Sequence, residues 1–343
     1  MIVVFAFNSG DQSNGGLRSC SNLYNQKETI VITNKRFTTK IFENSKIIVV
    51  NDYRNEKSFF QKIRSLYRTI NNLPFDFKLI ELCVINDNYY SIFIPLIKFK
   101  NRKTKIQYWI RDTPDVLKER LKMSLFANLS TDVYYLNACI MQRANLFTFK
   151  DKSKIRPTKF NVSIPCLDEK SISIKYNKRK VSYIAAFNSK KGQIEFIQNL
   201  ITYSEYLKFV TFDFYGDQRG PYFKECVEIA SKSNLNISFK NVVDDVSEIF
   251  EESSVVVLAS KNEGMPRVIY EALSNSTPFV SFDVCGVKGS FYSGKEGIIV
   301  KQGDYLGLLR GILILLNDYK FYCEVINSIK RRIHEDDVFV KKN

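Results

Sequence analysis

The chain has 343 residues, 45% of them hydrophobic and 25% charged, with 51 Lys+Arg against 36 Asp+Glu and a formal net charge of +15. That length is too great for one ordinary core and suits two domains of about 150 residues each. The composition excludes disordered, fibrous and collagen-like chains, and no repeat at solenoid spacing is present.

The first apolar run, Met1 to Phe7, has no basic leader and stops at Asn8-Ser9-Gly10-Asp11, so it reads as a buried strand and not as a signal peptide. Further strands are predicted over 28–33, 46–50, 78–85, 105–110 and 131–136, then over 181–186, 209–215, 236–239, 254–259 and 278–282. Many are continuously apolar between turn residues, as parallel strands covered on both faces are. Helical patterns lie between them. Over 56–71, Phe59, Ile63, Leu66, Tyr67 and Ile70 make one apolar stripe. Such alternation means an α/β fold with parallel sheets.

A polar stretch from Asp151, containing Pro157 and a short strand ending at Ile164-Pro165, precedes the strand that starts at Val181. The predicted division is a domain over 1–165, a second over 166–320, and a helix and tail over 321–343. Two domains of similar size leave a cleft between them as the default ligand site. The greasiest segment, Leu306 to Leu316, is interrupted by Arg310 and falls short of the ~20 residues that span a bilayer. Seven cysteines without a CxxC pair argue for reduced, cytoplasmic thiols and against a zinc site.

Charge is unevenly spread. Residues 1–165 hold 27 basic against 13 acidic residues, a surplus of 14, whereas the remainder has 24 against 23. A basic half suits an anionic partner: nucleic acid, an anionic membrane or a phosphorylated acceptor. A plainly solvated basic surface is the alternative. Lys57, Arg64 and Arg68 share a helical face, and Lys98, Lys100, Arg102, Lys103 and Lys105 cluster soon after. Basic surfaces next to apolar ones bind anionic membranes peripherally. No nucleic-acid-binding motif accompanies these charges.

The most informative segment runs from Ser260 through Lys261-Asn262-Glu263-Gly264-Met265-Pro266-Arg267 to Glu271-Ala272-Leu273, directly after the strand Val255-Val256-Val257-Leu258. Pro266 suits a helix start, and Gly264 lets a ligand approach the backbone. The helix that follows presents unpaired N–H groups and a positive dipole end, a seat for a diphosphate. Glu271, over one turn into the helix, can accept hydrogen bonds from two adjacent ribose hydroxyls. Glu263, in the loop, can reach sugar hydroxyls beyond the phosphates.

These residues resemble the C-terminal signature of the family-four retaining glycosyltransferases, a Glu-Gly-x-Pro followed by Glu-Ala with seven residues between the glutamates. Glu263, Gly264, Pro266, Glu271 and Ala272 match it. Thr277 to Gly286, then Gly297 to Val300 and Gly303-Asp304, resemble the family's next strands and loops, and Ile164 to Asp168 its interdomain crossing. The resemblance implies a GT-B fold, two Rossmann-like domains with parallel sheets facing across a cleft. It also implies a last helix, 319–333, that crosses back onto the first domain. It implies that Lys191, at the Lys191-Gly192 turn, holds the donor diphosphate. The family's neighbouring Arg falls on Ala186, with Lys190 and Arg267 as candidate substitutes. Met265 lies in the implied donor loop, and Gly216, in Phe214-Tyr215-Gly216-Asp217, near the nucleotide. In the first half, Asn14-Gly15-Gly16-Leu17-Arg18 resembles the family's Gly-Gly loop, placing Gly15 and Gly16 near the donor and Arg18 near the acceptor. Trp109-Ile110-Arg111-Asp112-Thr113-Pro114 stands where relatives have His-Asp: Asp112 keeps the acid and Arg111 replaces the His.

His334 is the sole histidine, and no Asp-x-Asp occurs. A His base, a Ser–His triad and the diphosphate–metal clamp of the other glycosyltransferase fold are therefore not expected, and no metal or other cofactor is. Electrostatic stabilisation of a leaving diphosphate by Lys191 and the helix amides remains, with attack from the same face giving retention. UDP is the implied nucleotide and a glycan or lipid-linked acceptor the implied partner, in surface-polysaccharide or lipopolysaccharide assembly at the inner face of the membrane. The alternatives are a non-catalytic nucleotide- or glycan-binding module and a nucleotide-sugar epimerase.

Overall fold

The computed structural model describes residues 2–5, 29–33, 43–49, 58, 61, 64–65, 67–68, 71–72, 81–85, 93–111, 114, 116–151, 153–156, 160–162, 168–243, 245–288, 290–336 and 339–341. The chain divides into two compact units, Met1–Lys159 and Phe160–Asn343.

In the first unit the strands are β1 (Ile2–Phe5), β2 (Thr29–Thr33), β3 (Lys46–Val49), β4 (Glu81–Ile85), β5 (Lys105–Ile110), β6 (Asp132–Tyr135) and β7 (Ser153–Ile155), in the order β3-β2-β1-β4-β5-β6-β7. Every pairing is parallel. β2 is buried throughout and β5 is buried after Lys105, as parallel strands covered on both faces are. Helices α1 (Phe93–Lys100), α2 (Leu117–Leu129) and α3 (Ala138–Ala144) belong to this unit. Ser58 and Gln61 bond each other's backbone amides as a capping box, and the described positions from 61 to 71 are helical, so that helix begins later than residue 56. Tyr67 of the predicted stripe is exposed; the stripe's other members lie outside the described residues.

The second unit holds a parallel sheet ordered β11-β10-β9-β12-β13-β14, built from β9 (Lys180–Ile184), β10 (Thr211–Tyr215), β11 (Asn236–Lys240), β12 (Val255–Leu258), β13 (Phe279–Phe282) and β14 (Gly297–Val300). In chain order this is 3-2-1-4-5-6, the doubly wound arrangement. Its helices are α4 (Glu169–Asn177), α5 (Gln193–Thr202), α6 (Pro221–Ala230), α7 (Ser247–Glu252), α8 (Arg267–Ser274), α9 (Tyr305–Asn317) and α10 (Tyr319–Glu335). The aromatic rings of Tyr183, Phe196, Phe212 and Phe214 are central to its core.

The units separate at Lys159 and Phe160, ahead of the predicted 165/166, because β8 (Phe160–Val162) pairs in parallel with β15 (Phe339–Lys341). The C-terminal helix α10 falls within the bounds of the second unit. Its Arg332 reaches the buried Glu296 at 3.0 Å and donates to the Ser290 carbonyl at 2.5 Å. Among the described residues Cys226, which is buried, and Cys323 are free thiols.

Lys175 of α4 is buried with its Nζ donating to the Asn275 carbonyl at 2.8 Å and to Thr277 Oγ1 at 2.6 Å. Burial pushes its pKa down to about 7, with smaller effects from Glu251, Lys178 and Glu252. An unfolded lysine titrates near ~10.4, so across the window between those values the unfolded chain holds more protons than the folded one. Stability therefore rises with pH from about 7 towards about 10 and gains nothing further below that window. In urea unfolding at a series of pH values, Lys175→Met is expected to remove this rise.

Candidate functional site

In a doubly wound sheet, loops on either side of the point where strand order reverses leave a crevice at the carboxyl ends of the strands. Here that point lies between β9 and β12. The loop after β9 runs to Gly192, and the loop after β12 runs from Ala259 to Pro266.

The two loops are tied together. The Tyr183 hydroxyl, wholly buried, accepts from the Ala259 amide at 3.1 Å and donates to the Lys191 carbonyl. Burial raises the pKa of this phenol well above its ordinary value, so the hydroxyl keeps its proton and its donor role. The Lys261 amide donates to the Lys190 carbonyl at 2.8 Å. Gly192 has φ +72°, and a Cβ there would meet the Ala259 carbonyl oxygen at 2.6 Å. Only glycine permits this turn so close to β12.

This framework brings Lys191 to Glu263, Nζ to Oε1 at 2.5 Å, although 71 residues lie between them in sequence. Gly286, after β13, supports the Glu263 loop: its amide donates to the Glu263 carbonyl at 2.8 Å, and no side chain would fit against Gly264. Pro266 is the last residue before α8, in a non-helical conformation with φ −76° and ψ 85°. On α8, Arg267 pairs with Glu271 at 2.8 Å, one turn apart on one face. In the first turn of α8 the Ile269 amide donates to the Pro266 carbonyl at 3.0 Å.

Other predicted residues fall differently. Met265 packs its side chain against the core, which leaves its backbone for the loop surface. Lys190 is exposed on the same turn as Lys191. A Cβ on Gly216 would meet the Ala185 carbonyl oxygen at 2.4 Å, so packing of the β10 loop on the β9 loop explains that glycine. Ala186 is exposed, and its carbonyl accepts from Gln193 Nε2 at 2.9 Å. Arg111 follows β5 in the first unit, half-buried beyond Trp109, whose ring stacks on Tyr134. Asp112, Gly15, Gly16 and Arg18 lie outside the described residues.

Sequence reasoning assigned no role to three residues here. Tyr183 carries the loop-to-loop bonds. Gln193 Oε1 and Ser260 Oγ are buried without a hydrogen-bond partner in the protein, beside the tied loops. Orphaned buried acceptors and hydroxyls at one place mark a site with bonds still to make. The strand that buries Tyr183 was readable; its two loop partners were not.

The fold class these observations define is GT-B: two doubly wound units, with the nucleotide-type crevice of the second one built as above. Residues 167–332 match the family model of glycosyl transferases group 1. Anabaena HepE, crystallised with UDP and glucose, has a similar structure, with a TM-score of 0.80 at 15% identity over 98% of this chain and 96% of that one. Sucrose-phosphate synthase from Thermosynechococcus elongatus gives 0.73 at 13% identity over 97% and 94%. Among curated relatives, an alpha-1,4-N-acetyl-D-galactosaminyltransferase of Campylobacter jejuni, named for an undecaprenol-linked substrate, is 28% identical over 112 residues, 30% of this chain and 29% of that protein. The capsular polysaccharide biosynthesis glycosyltransferase CapM of Staphylococcus aureus is 21% identical over 214 residues, 62% of this chain and 56% of its own length.

Tyr183→Phe strands the buried Ala259 amide and frees the Lys191 carbonyl. The expected loss is about 1–3 kcal/mol of unfolding free energy, read from urea unfolding.

Proposed function

We propose that the chain is a retaining glycosyltransferase. It moves a sugar from a nucleotide-sugar donor, UDP-linked, to a glycan or lipid-linked acceptor in surface-polysaccharide or lipopolysaccharide synthesis. The observation that carries this reading is the Lys191–Glu263 pair, set at the switch point of the sheet beside the start of α8. A cation and a sugar-reaching carboxylate stand next to a helix N-terminus, where a diphosphate is favoured. HepE, crystallised with UDP-glucose, and the undecaprenol-linked substrate in the Campylobacter relative's name support the donor and acceptor classes.

In this reading the donor diphosphate lies against the α8 amides. Lys191 turns from Glu263 to a phosphate oxygen and neutralises the charge that grows there as the glycosidic bond breaks. Glu263, released, accepts from sugar hydroxyls. Glu271, oriented by Arg267, accepts from the ribose hydroxyls. Lys190 and Arg267 supply the second cation that Ala186 cannot. No metal is assigned to the reaction. The first unit is the acceptor side, with Gly15, Gly16, Arg18, Arg111 and Asp112 in the roles the resemblance implies, and the second unit is the donor side. The acceptor hydroxyl attacks from the face the leaving group vacates, so the anomeric configuration is kept.

Thermal shifts with UDP, GDP, ADP and dTDP test the donor site. At one hundred times its dissociation constant the right nucleotide adds ~2.7 kcal/mol of stability, and Glu271→Ala is expected to lose most of it. No shift with any nucleotide would overturn the donor assignment, and binding without transfer would favour a non-catalytic module. The anomeric configuration of the product, read by NMR, tests retention; an inverted product would exclude it.

A further inference from the structure

A second surface, in the first unit, uses none of the donor-site residues. Helix α2 buries Met123, Ser124, Phe126 and Ala127 on one face. Its opposite face would be polar in an ordinary surface helix. Instead Leu117, Leu121 and Leu125 form a row at four-residue spacing, 64%, 54% and 54% exposed. Phe147 and Phe149, 54% and 94% exposed, extend this apolar surface. Their segment is fastened along α2: the Phe147 amide donates to Ser124 Oγ at 3.0 Å, the Phe147 carbonyl accepts from Asn128 Nδ2 at 2.8 Å, and the Phe149 amide donates to Asn128 Oδ1 at 2.9 Å. These aromatic side chains are therefore held outward by a fixed backbone.

Cations border the row. Lys118 and Lys122 each follow one of the leucines, and Lys150 follows Phe149. The one acidic residue of the helix, Glu119, lies about half a turn away from the leucines. Lys98, from the basic cluster read in the sequence, is not part of this surface charge. Its Nζ donates to the Arg102 and Thr104 carbonyls at 3.1 and 2.6 Å and closes the turn after α1.

We propose that this face of α2, with the Phe147–Phe149 segment, docks on an anionic lipid bilayer. Contiguous exposed apolar side chains mark an interaction surface. The choice of occupant rests on charge and shape. A second copy would bring the same lysines against themselves. A protruding, nearly fully exposed Phe149 suits insertion among acyl chains, while lysines reach back to acidic headgroups. The sequence pointed only to charge for such contact; the structure adds the apolar row that gives depth.

The test is flotation of the full chain with vesicles of phosphatidylcholine alone and of equal parts phosphatidylcholine and phosphatidylglycerol, at low and high salt. Binding to the anionic vesicles is expected, weakened by salt. The triple variant Leu117→Gln, Leu121→Gln, Leu125→Gln is expected to bind about tenfold more weakly or less, with an unchanged melting temperature. Phe149→Ser, on the extended segment, is a second probe if the triple variant unfolds. Three results would each overturn the proposal: no binding by the wild type, undiminished binding by both variants, or wild-type dimers that the triple variant abolishes without any vesicle binding. Equal binding to neutral vesicles would overturn its electrostatic half.

Discussion

The second unit depends on one buried hydroxyl. Tyr183 sits in β9, the strand beside the reversal of strand order, and its oxygen bonds to the ends of both loops that leave the sheet there. Water cannot substitute at a wholly buried position, so each bond lost there leaves a polar group stranded. Gly192 complements the tyrosine sterically: its left-handed backbone lets the Lys191 turn lie against the Ala259 carbonyl. The position of Lys191 relative to Glu263 follows from these two constraints.

Around that fixed backbone the charges are arranged as local pairs. Lys191 with Glu263 and Arg267 with Glu271 leave the mouth of the crevice with cations and carboxylates already desolvated in part. Such pairs contribute little to stability, because part of the Coulomb gain is cancelled by desolvation. Their value in the proposed reaction is that a diphosphate can replace a carboxylate as the partner of Lys191 without an ammonium being stranded. The near-neutral balance of the second half and the surplus of 14 positive charges in the first half then belong to different tasks. One half is proposed to hold a nucleotide in a shaped crevice, the other to meet an anionic surface.

Much of this was legible in the sequence. The β12 run Val255–Leu258, the breaker chemistry of Gly264 and Pro266 and the amphipathic start of α8 are local properties, and the structure places strand, loop and helix accordingly. The strand Lys105–Ile110 has the predicted ends because its burial is continuous and Thr104 and Arg111 bound it. Local patterns misled where a residue's neighbour is remote. β15 and β8 pair across the length of the second unit, and the division between units falls at Lys159 and Phe160. The missing side chain of Gly216 also leaves room for the Ala185 carbonyl and the Phe187 ring, a packing role that no local pattern shows.

The sequence by itself determined the α/β class, the alternation of elements and the Glu263-to-Ala272 signature, because hydrophobic period, turn residues and helix starts act over a few residues. The tertiary structure decided that Lys191 meets Glu263, that Tyr183 joins the two loops, and that Leu117, Leu121 and Leu125 face outward and not into the core. Each of these depends on strand order and on which face of an element is covered. Those are set by the packing of the whole unit, and two apolar faces on one short helix look alike until the core has formed against one of them.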